Sequence, residues 1–146
     1  MSNVEIVEII APDDFHHHLR DNDTLGSVVK FAAASFQRII VMPNLAPQPV
    51  RNLSDAIAYK HRILSFLPSD TQFLPMMTLY LTDMTTPADI TEASQSQIVF
   101  ACKLYPNGAT TNSQFGVTNI HNIYPVLQVS ILLYFFNKLF IIHFFF

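Results

Sequence analysis

An α/β fold built on a parallel sheet is what this sequence predicts. Three observations lead there. Short apolar or β-branched runs alternate with helical patterns in the order β-α-β-α-β-α-β-α. The strand-like runs recur roughly every 30 residues, the span of one βαβ unit. Polar residues suited to metal and anion binding stand at the ends of the first, second and fourth runs, where parallel α/β proteins collect their chemistry. Periodicity alone leaves an open sheet and a closed barrel equally available.

Each element has a local reason. Residues 4–10 (VEIVEII) are rich in β-branched side chains and read as the first strand, closed by Pro12. Asp23 or Thr24 is placed to cap a helix running to about Ser35, with Leu25, Val28, Val29 and Ala32 at helical spacing. Residues 38–42 (RIIVM) are the continuous apolar run of a strand buried on both faces. Pro43 ends it, and 44–50 is a proline-rich loop. Ser54 is expected to cap a second helix over 55–66, with Ile57, Ala58, His61 and Leu64 along one stripe. Residues 73–81 read as a third strand. Thr86 and Pro87 open a third helix, because proline suits the first helical turn. Residues 98–105 (IVFACKLY) are a fourth strand, 106–117 a polar loop, and 119–127 a fourth helix shortened by Pro125.

Composition narrows the function classes. The 146 residues fit one domain with a real core. Charged residues make up 13%, against about 25% in ordinary domains. The net charge of -3 offers no basic footprint for nucleic acid. A single cysteine, Cys102, rules out an internal disulfide. The first ten residues carry Glu5 and Glu8 and no basic side chain, unlike a signal or transit peptide. The last 18 residues hold six of the thirteen phenylalanines and no acidic residue, glycine or proline. We therefore divide the chain into an α/β unit, 1–128, and an apolar tail, 129–146.

The densest chemistry lies in Asp13-Asp14-Phe15-His16-His17-His18-Leu19-Arg20-Asp21. On an extended strand His16, His18 and Arg20 share one face, and His17 and Leu19 the other. Two imidazoles so spaced can bind one metal ion, and the arginine can hold an anionic ligand beside it. Asn44 follows the second strand, and Lys103 lies near the end of the fourth. Taken singly, each has a bland explanation: a polar loop, a turn asparagine, a lysine snorkelling from an apolar strand. Cys102 points away from Lys103 as a small core residue. His17 and His61 read as structural.

Four motifs in order resemble one family. They are the stretch from Asp13 to Asp21, then Val41-Met42-Pro43-Asn44-Leu45-Ala46-Pro47, then Met77-Thr78-Leu79-Tyr80-Leu81-Thr82-Asp83, then Lys103-Leu104-Tyr105-Pro106-Asn107-Gly108-Ala109-Thr110-Thr111-Asn112-Ser113. The chain resembles dihydroorotase, of the homodimeric type found in bacteria and plants, from about Val4 to Leu127. The resemblance implies a partial (β/α)8 TIM barrel of the amidohydrolase superfamily, about the first four βα units, followed by an unrelated apolar tail. It implies reversible cyclisation of N-carbamoyl-L-aspartate to L-dihydroorotate, in pyrimidine biosynthesis. His16 and His18 match zinc ligands. Lys103 matches the lysine that is carbamylated and bridges two zinc ions. Arg20 and Asn44 match residues holding the substrate carboxylate, Asn44 as a donor. A cytoplasmic enzyme is implied, or an organellar one where a transit peptide precedes this segment.

The resemblance stops at about Gln128, whereas the family continues for well over a hundred residues. A barrel of this kind needs about 250. Two further metal-binding histidines and the general-base aspartate belong to that second half, so no catalytic base is assigned here, and the chain alone is expected to be inactive. His121 and His143 stand in no matching motif. Gln48 and Pro49 look like a one-residue insertion in a tolerant loop. Without their neighbours, the first and fourth strands are expected to be open edges. The tail is short and polar-interrupted for a membrane span. Its residues have AT-rich codons, and Val129-Ser130 can be encoded by GTAAGT, a splice-donor consensus. Translated intron is the expectation. A non-catalytic metal- or partner-binding remnant and a small tail-anchored membrane protein are the competing readings.

Overall fold

Five strands form one sheet in the order of the chain: β1 (Asp13–His17), β2 (Arg38–Val41), β3 (Leu74–Tyr80), β4 (Val99–Leu104) and β5 (Phe140–His143). Every neighbouring pair is parallel. The helices between them are α1 (Leu25–Ser35), α2 (Leu53–Leu64), α3 (Pro87–Gln95) and α4 (Tyr124–Asn137). The computed structural model describes the backbone of residues 8–137 and 140–143, and side chains from 8 to 133. Strand order that advances without reversal is the progression of a barrel wall; a doubly wound sheet would reverse at a switch point. The architecture is that of a partial α/β barrel.

Among the described residues the first strand is β1, later than the expected strand at 4–10. Residues 4–7 lie outside the described residues, and 8–12 carry no regular structure. Ile9 and Ile10 are largely exposed. β1 instead runs through the polar motif itself, and long-range ties explain why. Asp13 stands in register with Arg38 on β2 and accepts from its Nε at 3.0 and 3.1 Å. That pairing holds the Asp13 carboxyl below the usual range, mainly through the arginine's hydrogen bonds. The Pro12 carbonyl accepts from Gln37 N–H at 3.0 Å.

The helix caps also depart in part from expectation. α2 is capped by Asn52, not Ser54: the Asn52 side chain accepts from Asp55 N–H at 2.9 Å. Its buried face is Ala56, Tyr59 and Ile63, one position off the expected stripe. Asp21 caps a 3-10 turn, Asn22–Thr24, that leads into α1. α3 opens as expected, with Thr86 and Asp89 in a reciprocal capping box and Pro87 in the first turn.

α4 is longer than Pro125 suggested, because that proline falls in the helix's first turn and breaks nothing. The helix crosses Gln128 without a break. β5 then pairs with β4, Lys103 opposite Ile142. The fourth strand, expected as an open edge, is therefore covered; the sheet ends at β1 and β5. A fifth strand thus follows the four expected βα units. Among the described residues, no helix is long and apolar enough to cross a membrane.

The core lies between sheet and helices. Leu25, Val29 and Ala32 of α1, Ile39 and Val41 of β2, Met77 and Leu79 of β3, and Ile90 of α3 are all essentially inaccessible. Burial of such side chains stabilises by roughly 1.5–3 kcal/mol each.

A candidate metal centre at the strand ends

Asp14 sets the geometry of the histidine motif. Its Oδ1 accepts from His16 N–H and its Oδ2 pairs with His17 Nδ1, both at 2.8 Å. The clasp coincides with a register irregularity between Asp14 and His17 in the β1–β2 ladder. It draws His17 back against Phe36, edge-on at 5.8 Å. His16 and His18 come together instead, with Nε2 atoms 3.1 Å apart. Two nitrogens each about 2.0–2.1 Å from one tetrahedral metal ion lie about 3.3 Å apart. The observed spacing fits that demand.

Both rings are electrostatically prepared as ligands. Burial, followed by the charges of Arg20, His16, Lys103 and His17, pushes His18 down to about 4. Burial and then Lys103 hold His16 below its ordinary value, with Asp14 opposing. Imidazoles that stay neutral near pH 7 keep the lone pairs a metal requires.

Arg20 sits in a left-handed turn, at φ 61°. The turn is tied to α2 at two points. Tyr59, wholly buried, donates its hydroxyl to the Arg20 carbonyl. Asp21 accepts from Arg62 Nε at 3.1 Å and Nη2 at 2.7 Å. Asn44, just past β2, is 3% exposed. Its Nδ2 donates to the Thr111 carbonyl at 3.0 Å, and Asn112 Nδ2 donates to the Asn44 carbonyl at 3.0 Å. Asn44 Oδ1 has no hydrogen-bond partner among the described residues. The atom Asn44 leaves unused is thus an acceptor, where a donor was expected.

Lys103 stands opposite Tyr80 in the β3–β4 register and is wholly buried. Burial pushes its ammonium down to about 7. Its Nζ lies 5.8 Å from the Tyr105 ring centroid. The adjacent Cys102 is a core residue, as expected: burial pushes its thiol up to about 12, far from a reactive thiolate. The loop after β4 folds back on the strand, Val117 N–H to Tyr105 carbonyl at 2.8 Å. Only glycine fits at 116, because a Cβ there would meet the Tyr105 carbonyl oxygen at 2.3 Å.

His16, His18, Arg20 and Asn44 therefore line one pocket of about 210 Å³, together with Tyr105, Thr110 and Thr111. Lys103 is outside that lining, yet its charge registers on both histidines. His61 is exposed on α2, and His121 packs edge-on to Tyr124 at 4.6 Å. The His143 side chain lies outside the described residues. Among the described residues, no three His, Cys, Asp or Glu side chains converge as a metal site. What the described residues bring together is two imidazoles, with the charge of Lys103 registering on both. Sequence reading missed Tyr105 and Tyr59. Tyr105 lies just past β4, two residues from Lys103; neither tyrosine stands apart from a core aromatic in the sequence.

No family model matches the chain. Curated relatives do. The chain is 55% identical over 120 residues to the dihydroorotase of Hahella chejuensis, covering 82% of this chain and 34% of that protein. It is 54% identical over 124 residues to the dihydroorotase of Synechocystis, covering 85% and 36%. The Campylobacter jejuni dihydroorotase crystal structure superposes with TM-score 0.77 at 35% identity, over 96% of this chain and 41% of that one. The Saccharomyces cerevisiae dihydroorotase in complex with 5-fluoroorotic acid gives 0.74 at 31%, over 84% and 34%. The chain spans about a third of the length of the curated relatives it matches.

Proposed function

We propose that this dihydroorotase-like chain carries the first half of a zinc and substrate site for interconverting L-dihydroorotate and N-carbamoyl-L-aspartate. The observation that carries the reading is the 3.1 Å convergence of His16 and His18, beside a buried Lys103. His16 and His18 would hold one zinc ion. Lys103, depressed to about 7, presents a substantial fraction of neutral amine. That amine can add to CO2, forming an N–C bond and releasing a proton, to give a carbamate able to bridge two zinc ions. Zinc bound there supplies Lewis-acid polarisation of the amide carbonyl and lowers the pKa of water.

The chain's own part is binding and orientation. Arg20 offers a bidentate fork to the substrate carboxylate. Asn44, anchored through Thr111, presents an acceptor suited to a ring or carbamoyl N–H. The complete enzyme is proposed to be a cytoplasmic homodimer acting in pyrimidine biosynthesis. Among the described residues no third His, Cys, Asp or Glu joins the two histidines, so zinc binding without turnover is the expected behaviour of these residues. Metal analysis of the purified full chain tests this. We expect zinc uptake that falls at least tenfold in His18→Ala, with no dihydroorotate hydrolysis. Zinc uptake equal in the parent and in His18→Ala would refute the assignment.

A further inference from the structure

Tyr105 lines the pocket, and the preceding roles do not use its chemistry. It is 5% exposed, and its hydroxyl has no hydrogen-bond partner among the described residues. The other buried tyrosines do have one: Tyr59 donates to Arg20, and Tyr80 donates to the Asn112 carbonyl at 3.2 Å. The Tyr105 ring is fixed by stacking on Tyr80, centroids 4.8 Å apart at 23°. Its backbone is fixed by the loop bond from Val117. A tyrosine with a fixed ring and a buried, unsatisfied hydroxyl thus lines the pocket that Arg20 also lines. A phenol hydroxyl is a hydrogen-bond donor near neutral pH. A buried donor left unused is costly, and such groups are normally completed by a ligand, an ion or a water.

We propose that Tyr105 is a ligand-binding residue, its hydroxyl donating a second hydrogen bond to the carboxylate that Arg20 grips. This rests on the proposed function, because it takes the ligand to be a small cyclic carboxylate. One cation with one neutral donor would select a ring bearing a carboxylate over the same ring without it.

The test is calorimetric titration of the full chain with dihydroorotate, and with dihydrouracil, which lacks the carboxylate. Parent, Tyr105→Phe and Arg20→Met are compared. A hydrogen bond to a charged group predicts a loss of about 10- to 100-fold for dihydroorotate in Tyr105→Phe, and no change for dihydrouracil. Melting without ligand gives an independent readout. Removing an unsatisfied hydroxyl should raise Tm by about 2–4 °C, whereas a structural hydroxyl would lower it. If Arg20→Met weakens dihydroorotate but Tyr105→Phe does not, the Tyr105 proposal is overturned and the proposed function stands. Equal weakening for both ligands in Tyr105→Phe also overturns it. A parent chain that binds no dihydroorotate overturns both.

Discussion

Tyr59→Phe isolates the bond that holds Arg20 in place. The substitution keeps the ring, hence the packing of a fully buried side chain and the Arg62 guanidinium 5.2 Å above its centroid. The Asp21–Arg62 fork is also kept. What is lost is the hydroxyl donated to the Arg20 carbonyl. Leaving that carbonyl without its donor costs about 1–2 kcal/mol. For a chain near 150 residues, this lowers Tm by roughly 3–6 °C. A second effect follows, because Arg20 is a non-glycine residue at φ 61°, a conformation costing of order 1–2 kcal/mol unless its surroundings impose it. With one of two ties cut, the turn relaxes and dihydroorotate binding weakens, while zinc uptake at His16 and His18 is kept. Thermal melts and titrations of the same samples read both. A Tm within about 1 °C of the parent would refute the reasoning. So would Tyr59→Phe and Tyr105→Phe shifting Tm in the same direction.

Two further outcomes follow from the site. Lys103 has a folded pKa near 7, well below its ordinary value, so between those pH values the unfolded chain binds a proton that the native chain does not. Stability should therefore rise as pH climbs from about 7 towards 10, and its full cost should be felt below 7. In CO2-free buffer, Lys103→Met should abolish that slope and stabilise the chain at pH 6.5 by a few kcal/mol, as read from denaturant melts at pH 6.5 and 9.5. Asp14→Ala removes the clasp on His16 N–H and His17 Nδ1. Zinc affinity should fall about 10- to 100-fold with both ligands still present, as measured by competition with a chromogenic chelator.

The legible parts of the fold were those whose cause is local. β2, β3 and β4 are apolar runs bounded by proline or turn residues, and their pattern alone places them. β1 is polar and is a strand because Asp13 meets Arg38, 25 residues away. No window of sequence contains that cause, and the apolar run at 4–10 was the stronger local signal. The site divides in the same way. His16, His18, Arg20, Asn44 and Lys103 each had a bland explanation taken singly and were legible through the four ordered motifs that carry them. Tyr59 and Tyr105 are indistinguishable from core aromatics until a hydroxyl is seen to find, or to lack, a partner.

The tail can be argued on the same terms. An outer helix of an α/β unit should bury one stripe and show polar residues to water. α2 does so, burying Ala56, Tyr59 and Ile63 while His61 and Arg62 are exposed. α4 follows the rule up to Gln128, which is exposed, and then abandons it: Ile131 is 57% and Leu132 60% exposed. The helix continues through the boundary, but its polar face does not. We propose that 1–128 is the α/β unit and that 129–146 is translated intron. Spliced cDNA should leave this sequence after codon 128 and continue in a polar-faced helix. A mature message that encodes residues 129–146 would end that idea. At the protein level, replacing Ile131 and Leu132 with glutamine should reduce self-association in sedimentation without lowering Tm, because neither side chain belongs to the core. A drop in Tm of several degrees would show that these side chains are packed parts of the fold, and the boundary at 128 would have to be given up.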